Sequence, residues 1–210
     1  MVLEGRNVFF AGQTGSGKTF AIQKWITDVP RLVVYLPKIE DHGYPGVYFN
    51  GREPGGFKAF CWWWYYANKK CRRFRLIYRP ADKFDAEEFD RFCRLVYACG
   101  DCVFIAEEIS SYLSSRIFMT VDKYKGIKNL LTAGRTRGVL AFWVTQRPFG
   151  IPREVTSESR EAYLFHLQEP ADLDYVQDRF SLAARLAIDR LKEYEHVHWL
   201  NTGQVEVGKA

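Results

Sequence analysis

The chain has 210 residues, of which 47% are apolar and 16% aromatic. That is enough to bury a full hydrophobic core, and it excludes a disordered chain. The formal charge of +5 and pI near 8.9 permit a polyanionic partner without requiring one. No apolar run reaches membrane-spanning length: Val103–Ala106 and Val139–Val144 are strand-sized. The N-terminus carries neither a secretory nor a transit pattern, so a cytosolic protein with no membrane segment of its own is expected.

In chain order, Asn7–Ala11 is a short apolar run ending in glycines, the pattern of a central parallel strand. Ile22, Trp25 and Ile26 recur at helical spacing until Pro30, and Leu32–Leu36 is a second strand stopped by proline. Residues 38–56, rich in Gly and Pro, read as an irregular connection with a hairpin around Val47-Tyr48-Phe49. A helix is expected over Phe57–Lys70, its Trp62-Trp63-Trp64-Tyr65-Tyr66 run buried against the sheet and a neighbouring subunit, and Phe74–Tyr78 is the next strand.

Asp85 with Glu88 forms a capping box before the amphipathic series Phe89, Phe92, Val96 and Cys99. Cys99 and Cys102 form a CxxC, but no second pair or His completes a zinc site, and five cysteines in all make an odd number. Reduced thiols at a helix-to-strand turn are the reading. Cys102–Ala106 is a strand. Ile127, Leu130 and Leu131 mark a helix with Gly134 as its C-cap, and Val139–Thr145 is a buried strand. A strand at Ala162–Leu167, two helical stretches and a final strand pair near Val197–Leu200 and Gln204–Val207 complete the chain. Strands alternating with helices predict one α/β domain over residues 1–210, with a mostly parallel sheet covered by helices on both faces and ligands at the carboxyl ends of its strands.

Gly12-Gln13-Thr14-Gly15-Ser16-Gly17-Lys18-Thr19 matches the phosphate-binding pattern G-x4-G-K-[ST] in full, placed between a strand and a helix as its mechanism requires. The glycines let backbone amides face phosphate oxygens. Lys18 supplies charge to the β- and γ-phosphates of ATP, and Thr19 offers its hydroxyl to Mg2+. A P-loop enzyme also needs an acid at a neighbouring strand end. Glu107 is read as holding magnesium through its water, and Glu108 as polarising the attacking water. Gln146, closing the strand Val139–Val144, can sense the γ-phosphate and orient water. Arg135 and Arg137 flank a helix-to-strand turn, and the planar guanidinium suits a finger inserted into another subunit's site.

Gly134-Arg135-Thr136-Arg137-Gly138, then a hydrophobic strand and Thr145-Gln146-Arg147-Pro148, resembles the signature of the FtsK–HerA superfamily of RecA-like (ASCE) P-loop ATPases. With Phe74–Pro80, the Asp85 helix and the double acid in order, the chain is similar to the small genome-packaging ATPases of tailless, membrane-containing icosahedral viruses. The resemblance spans roughly residues 7 to 175.

The resemblance implies an ATP-hydrolysing ring, read as a hexamer, that threads double-stranded DNA into a preformed capsid with its ATP sites between subunits. It implies residence in the host cytoplasm or at the packaging vertex, where a capsid or membrane protein is the partner. Lys18 and Thr19 then bind nucleotide and metal, Glu107 takes the acidic strand-end role, Glu108 is the base, Gln146 the sensor and Arg135 the leading trans arginine. The family carries Asp where Glu107 stands, so a shifted geometry is expected. Arg116, Lys123, Lys125 and Lys128 lie where a pore-facing loop would emerge and are the expected DNA phosphate contacts. A second dense cluster is Lys69, Lys70, Arg72, Arg73, Arg75 and Arg79.

A P-loop kinase would share Lys18 and Thr19 but would leave Gln146 without a task. A GTPase is disfavoured because N-K-x-D is absent, and an ABC protein because its Ser-Gly-Gly signature is missing. A subunit that binds ATP without turnover sits poorly with Glu108. A motor of the same superfamily for phage extrusion or plasmid transfer is the nearest alternative, although those relatives commonly carry a membrane segment.

Overall fold

The computed structural model describes residues 4–38, 43–114 and 123–210. The strands are β1 (Arg6–Ala11), β2 (Arg31–Tyr35), β3 (Val47–Asn50), β4 (Phe74–Arg79), β5 (Cys102–Ala106), β6 (Val139–Thr145), β7 (Ser159–Leu164), β8 (Glu195–Leu200) and β9 (Val205–Lys209). Between them run α1 (Lys18–Trp25), α2 (Gly56–Lys70), α3 (Ala86–Cys99), α4 (Lys125–Ala133), α5 (Arg153–Ser157), α6 (Pro170–Arg179) and α7 (Leu182–Ile188). The strands form one sheet in the order β3-β4-β2-β5-β6-β1-β7-β8-β9. It is parallel from β3 to β7, and β8 and β9 add antiparallel at one edge.

Why these runs become central strands is visible in β1. Successive side chains point to opposite faces, so Val8 and Phe10 bury against Ala21 and Ile22 of α1. Phe9 and Ala11 join the larger core on the other face, with Phe60 and Trp64 of α2, Phe89 and Phe92 of α3 and Leu130 of α4. A strand buried on both faces must be apolar at every position, which is why the periodicity of two vanishes from its sequence. The larger core is aromatic: Tyr35 packs edge-on to Phe89, Phe92 and Tyr112 with centroids 4.9–5.2 Å apart.

Two expectations are corrected, the hairpin at Val47-Tyr48-Phe49 and the full capping box at Asp85. Val47–Asn50 is no hairpin; it is a parallel edge strand whose partner, β4, lies beyond α2. Gly134 stands at the C-cap of α4 as expected, its amide donating to the Leu130 carbonyl, but without the left-handed turn common for a glycine there. Its φ of −55° is helical, the chain continues as a 3-10 turn over Gly134–Arg137, and Gly138 at φ +69° takes the left-handed position.

Only half of the capping box forms. Asp85 accepts from the amides of Glu87 (2.8 Å) and Glu88 (3.0 Å), but Glu88 turns inward to accept from the Tyr78 hydroxyl and the Ala81 amide. Of the five consecutive aromatics on α2, Trp64 is buried within the chain, while Trp62, Trp63, Tyr65 and Tyr66 face outward from it. All five cysteines are free, and the described residues hold no metal-binding cluster. No helix among them is long and apolar enough to cross a membrane.

Candidate active site

The carboxyl ends of β1, β5 and β6 meet at a cavity of about 300 Å³ whose wall includes Thr14, Lys18, Thr19, Glu107, Glu108 and Gln146. The loop between β1 and α1 can take its shape because three of its positions are glycine: Gly12, Gly15 and Gly17 have φ of +156°, +79° and +97°. A Cβ on Gly15 would stand in open space, so the loop there is a cradle with nothing in it from the protein itself. The Ser16 hydroxyl is buried with no hydrogen-bond partner among the described residues. Lys18 begins α1 and folds back, donating to the carbonyls of Gly12 and Gln13 (2.9 Å to the latter).

Burial lowers the pKa of Lys18 from 10.5 to about 8, and Glu107 works against that fall by stabilising the ammonium. A group that loses water in this way gains most from an anion. The loop amides, the helix N-terminus and Lys18 therefore suit a polyphosphate, and Thr19 with the nearby carboxylates suits a hard divalent cation.

The two acids occupy distinct surroundings although adjacent. Glu107 is almost fully buried, its amide held by the Tyr35 carbonyl of β2 (3.0 Å) and its carboxylate by the Tyr44 hydroxyl. Glu108 follows in the left-handed region, φ +51°, where a non-glycine residue is uncommon. This turn lifts its carboxylate out of the strand line. One oxygen accepts from Ser110 Oγ (2.8 Å) and the Gln146 amide (3.4 Å), and the other faces Lys38 Nζ at 3.6 Å. Gln146 in turn receives a hydrogen bond from Thr14 Oγ1 at 2.9 Å, joining the end of β6 to the phosphate loop. The chain beyond Gln146 is clamped by buried Asp172, which binds Arg147 Nε (2.7 Å) and the Phe149 amide (2.9 Å).

Lys38 and Tyr44 were missed from sequence, since both lie in an irregular stretch with no pattern to mark them. A second missed feature is a cavity of about 390 Å³ on the β7–β8 side of the same loop, lined by Gln13, Thr14, His166, Lys192 and Tyr194 among others. The two cavities share Thr14 and Gly15. An elongated ligand lying along the loop would therefore span both.

The arginines lie elsewhere. Gly134–Gly138 sits at the amino ends of the strands, separated from the phosphate loop by the six-residue length of β1, about 20 Å. It is held tightly there: a Cβ on Gly5 would meet the Arg135 carbonyl at 2.6 Å, and one on Gly100 the Arg137 carbonyl at 2.4 Å. Arg137 donates to the carbonyls of Tyr97 (3.0 Å) and Ala98 (2.8 Å), closing the end of α3. Arg135 is exposed and its side chain makes no hydrogen bond or ion pair among the described residues. Of the expected DNA contacts, Arg116 lies outside the described residues. Lys123 pairs with Glu87, and Lys125 and Lys128 are exposed on α4.

No family model matches the chain, and no curated protein matches by sequence. Solved structures do match. The DNA-packaging ATPase B204 of Sulfolobus turreted icosahedral virus superposes with a TM-score of 0.76 at 16% identity, covering 100% of this chain and 98% of that one. The genome-packaging NTPase B204 of Sulfolobus turreted icosahedral virus 2, in complex with sulfate, gives 0.75 at 16% identity over 98% and 96%. The N-terminal domain of zonular occludens toxin from Neisseria meningitidis gives 0.53 at 13% over 98% and 94%. At these identities the likeness is one of fold. This chain has the P-loop ATPase fold of the viral genome-packaging NTPases, over its whole described length.

Proposed function

We propose that the chain hydrolyses ATP to drive double-stranded DNA into a viral capsid, acting as a ring oligomer. The observation that carries the reading is the convergence of Thr14, Lys18, Thr19, Glu107, Glu108 and Gln146 on one cavity of a fold shared with packaging ATPases. Similar structures were solved with AMPPCP and with ATP-gammaS, which supports a nucleotide in this cleft.

In this reading the phosphates lie on the loop amides with Lys18 at the β- and γ-phosphates, and the nucleoside extends toward Tyr194 and His166. Thr19, and Glu107 through bound water, would hold Mg2+, which would supply charge to offset that developing on the transferred phosphoryl group. Glu108 accepts the proton of the attacking water. The left-handed turn that sets its carboxylate apart from that of Glu107 divides the two acid roles. Lys38 holds the Glu108 carboxylate before nucleotide arrives, and Gln146, tied to Thr14, links the state of the phosphate loop to β6. Arg135 reaches no part of its own phosphate site and serves a neighbour's, whereas Arg137 is committed to α3. The exposed lysines of α4, with Arg116, contact DNA phosphates, because a motor that moves over any sequence must grip the backbone.

Steady-state ATP turnover with and without long duplex DNA tests this. Stimulation by DNA that fades with added salt is expected. Turnover indifferent to DNA but accelerated by a small-molecule phosphate acceptor would replace the motor by a phosphotransferase.

A further inference from the structure

The outer face of α2 has no role in the nucleotide site, and its chemistry is unusual for protein surface. On this 15-residue helix Phe60, Trp64 and Ala67 point into the core. Trp62, Trp63, Tyr65 and Tyr66 point out and are 65%, 54%, 55% and 50% exposed. They are paired one turn apart, Trp62 edge-on to Tyr65 with centroids at 6.4 Å and Trp63 to Tyr66 at 6.3 Å. Four large rings massed on one helix face form a contiguous apolar surface, which marks a contact site rather than scattered exposure.

The charge around the rings has one sign. No Asp or Glu occurs between Gly56 and Arg73, while Lys58, Lys69, Lys70, Arg72 and Arg73 are all exposed. None of the five forms an ion pair among the described residues. Lys69 lies over the Tyr65 ring, 4.2 Å from its centroid, so cation and aromatic are presented together.

Trp and Tyr combine an apolar ring with one polar group and favour the headgroup level of a bilayer. Lys and Arg extend past them to anionic headgroups. Duplex DNA would satisfy the cations but would leave four rings in water, because its bases are stacked inside. We propose that the outer face of α2 docks on an anionic lipid bilayer surface, with the four aromatics at headgroup depth and the flanking lysines and arginines on the lipid charges. The binding is peripheral and independent of the nucleotide site.

The test is sedimentation of the full chain with vesicles of phosphatidylcholine containing phosphatidylglycerol, and with phosphatidylcholine alone, while following Trp emission. Binding to the anionic vesicles with a blue shift is expected, and it weakens with salt. Replacing Trp62, Trp63, Tyr65 and Tyr66 by Ser should abolish it. The variant Lys58→Gln/Lys69→Gln/Lys70→Gln should weaken it about a hundredfold. Thermal melting confirms that each variant is folded.

Failure of the wild-type chain to bind anionic vesicles overturns the proposal, as does binding that both variants retain. Duplex DNA binding lost in these variants, with no vesicle binding, would reassign the face to nucleic acid. Self-association lost in them, with no vesicle binding, would reassign it to a contact between copies.

Discussion

The two ends of the sheet are built on opposite principles. At the carboxyl ends, buried or half-buried polar groups are already tied to partners: Lys18 to loop carbonyls, Glu107 to Tyr44, Glu108 to Ser110 and Lys38, and Gln146 to Thr14. At the amino ends, a rigid backbone presents an exposed arginine that nothing in the described chain receives. Buried, mutually satisfied groups pre-organise a site for its ligand. An unpaired cation on a stiff turn is organised for a partner. On the function proposed above, one copy would hold the nucleotide and the amino end of another copy would complete the reaction.

The sharpest break in this comparison is between the two arginines of one turn. Arg135→Ala should lower kcat by about 10³-fold or more, the worth of an arginine that stabilises phosphoryl transfer, with nucleotide affinity and melting temperature unchanged. Arg137→Ala should do the reverse. It frees two carbonyls at the end of α3, costs about 1–2 kcal/mol in denaturant unfolding, and leaves kcat nearly intact. At the carboxyl end, Glu108→Gln keeps the shape and most hydrogen bonds of the side chain but cannot accept the proton. ATP should still bind in an equilibrium titration, and single-turnover hydrolysis should fall about 10²–10³-fold.

A smaller effect sharpens the account of Lys18. Its pKa is lowered to about 8 by burial, so its ammonium is intact below pH 8 and is lost above it when no phosphate is bound. ATP affinity should therefore be flat up to about pH 7.5 and should weaken about tenfold by pH 9, read by fluorescence titration. Lys18→Ala should bind weakly at every pH and show no such slope. The smallest change lies outside both sites: Asp85→Ala removes the cap of α3 and should cost about 1 kcal/mol, a fall of about 2–4 °C in Tm, without touching turnover.

What could be read beforehand was whatever is encoded locally. The phosphate loop, the double acid at the end of β5 and Gln146 at the end of β6 follow from short patterns beside apolar runs. β5 and β6 were placed to the residue, because buried strands are continuous in sequence. Pairing across distance was not legible. Val47–Asn50 sits among Gly and Pro and looks like a turn, yet it is held by β4, more than twenty residues on.

Glu88 carried a helix-start signal that its burial beneath Tyr78 overrides. The aromatic run on α2 points all round a helix, so the sequence alone does not say which rings meet the sheet. Helical geometry turns Trp62, Trp63, Tyr65 and Tyr66 away from the core, since one narrow stripe of the helix meets the sheet. Lys38 and Tyr44 had no signal at all. Their roles come from their contacts, Lys38 with the Glu108 carboxylate and Tyr44 with that of Glu107.

The claim that most needs a direct test is that the two ends of the sheet meet between copies. Arg135→Ala and Lys18→Ala are each expected to be inactive, the first for lack of a donor to its neighbour and the second for lack of a working phosphate site. Mixed in equal amounts with duplex DNA, they should recover a measurable fraction of wild-type ATP turnover, because some junctions then pair an intact phosphate site with an intact Arg135. A mixture as inactive as its components, under conditions where wild-type and variant subunits demonstrably exchange, would contradict the account.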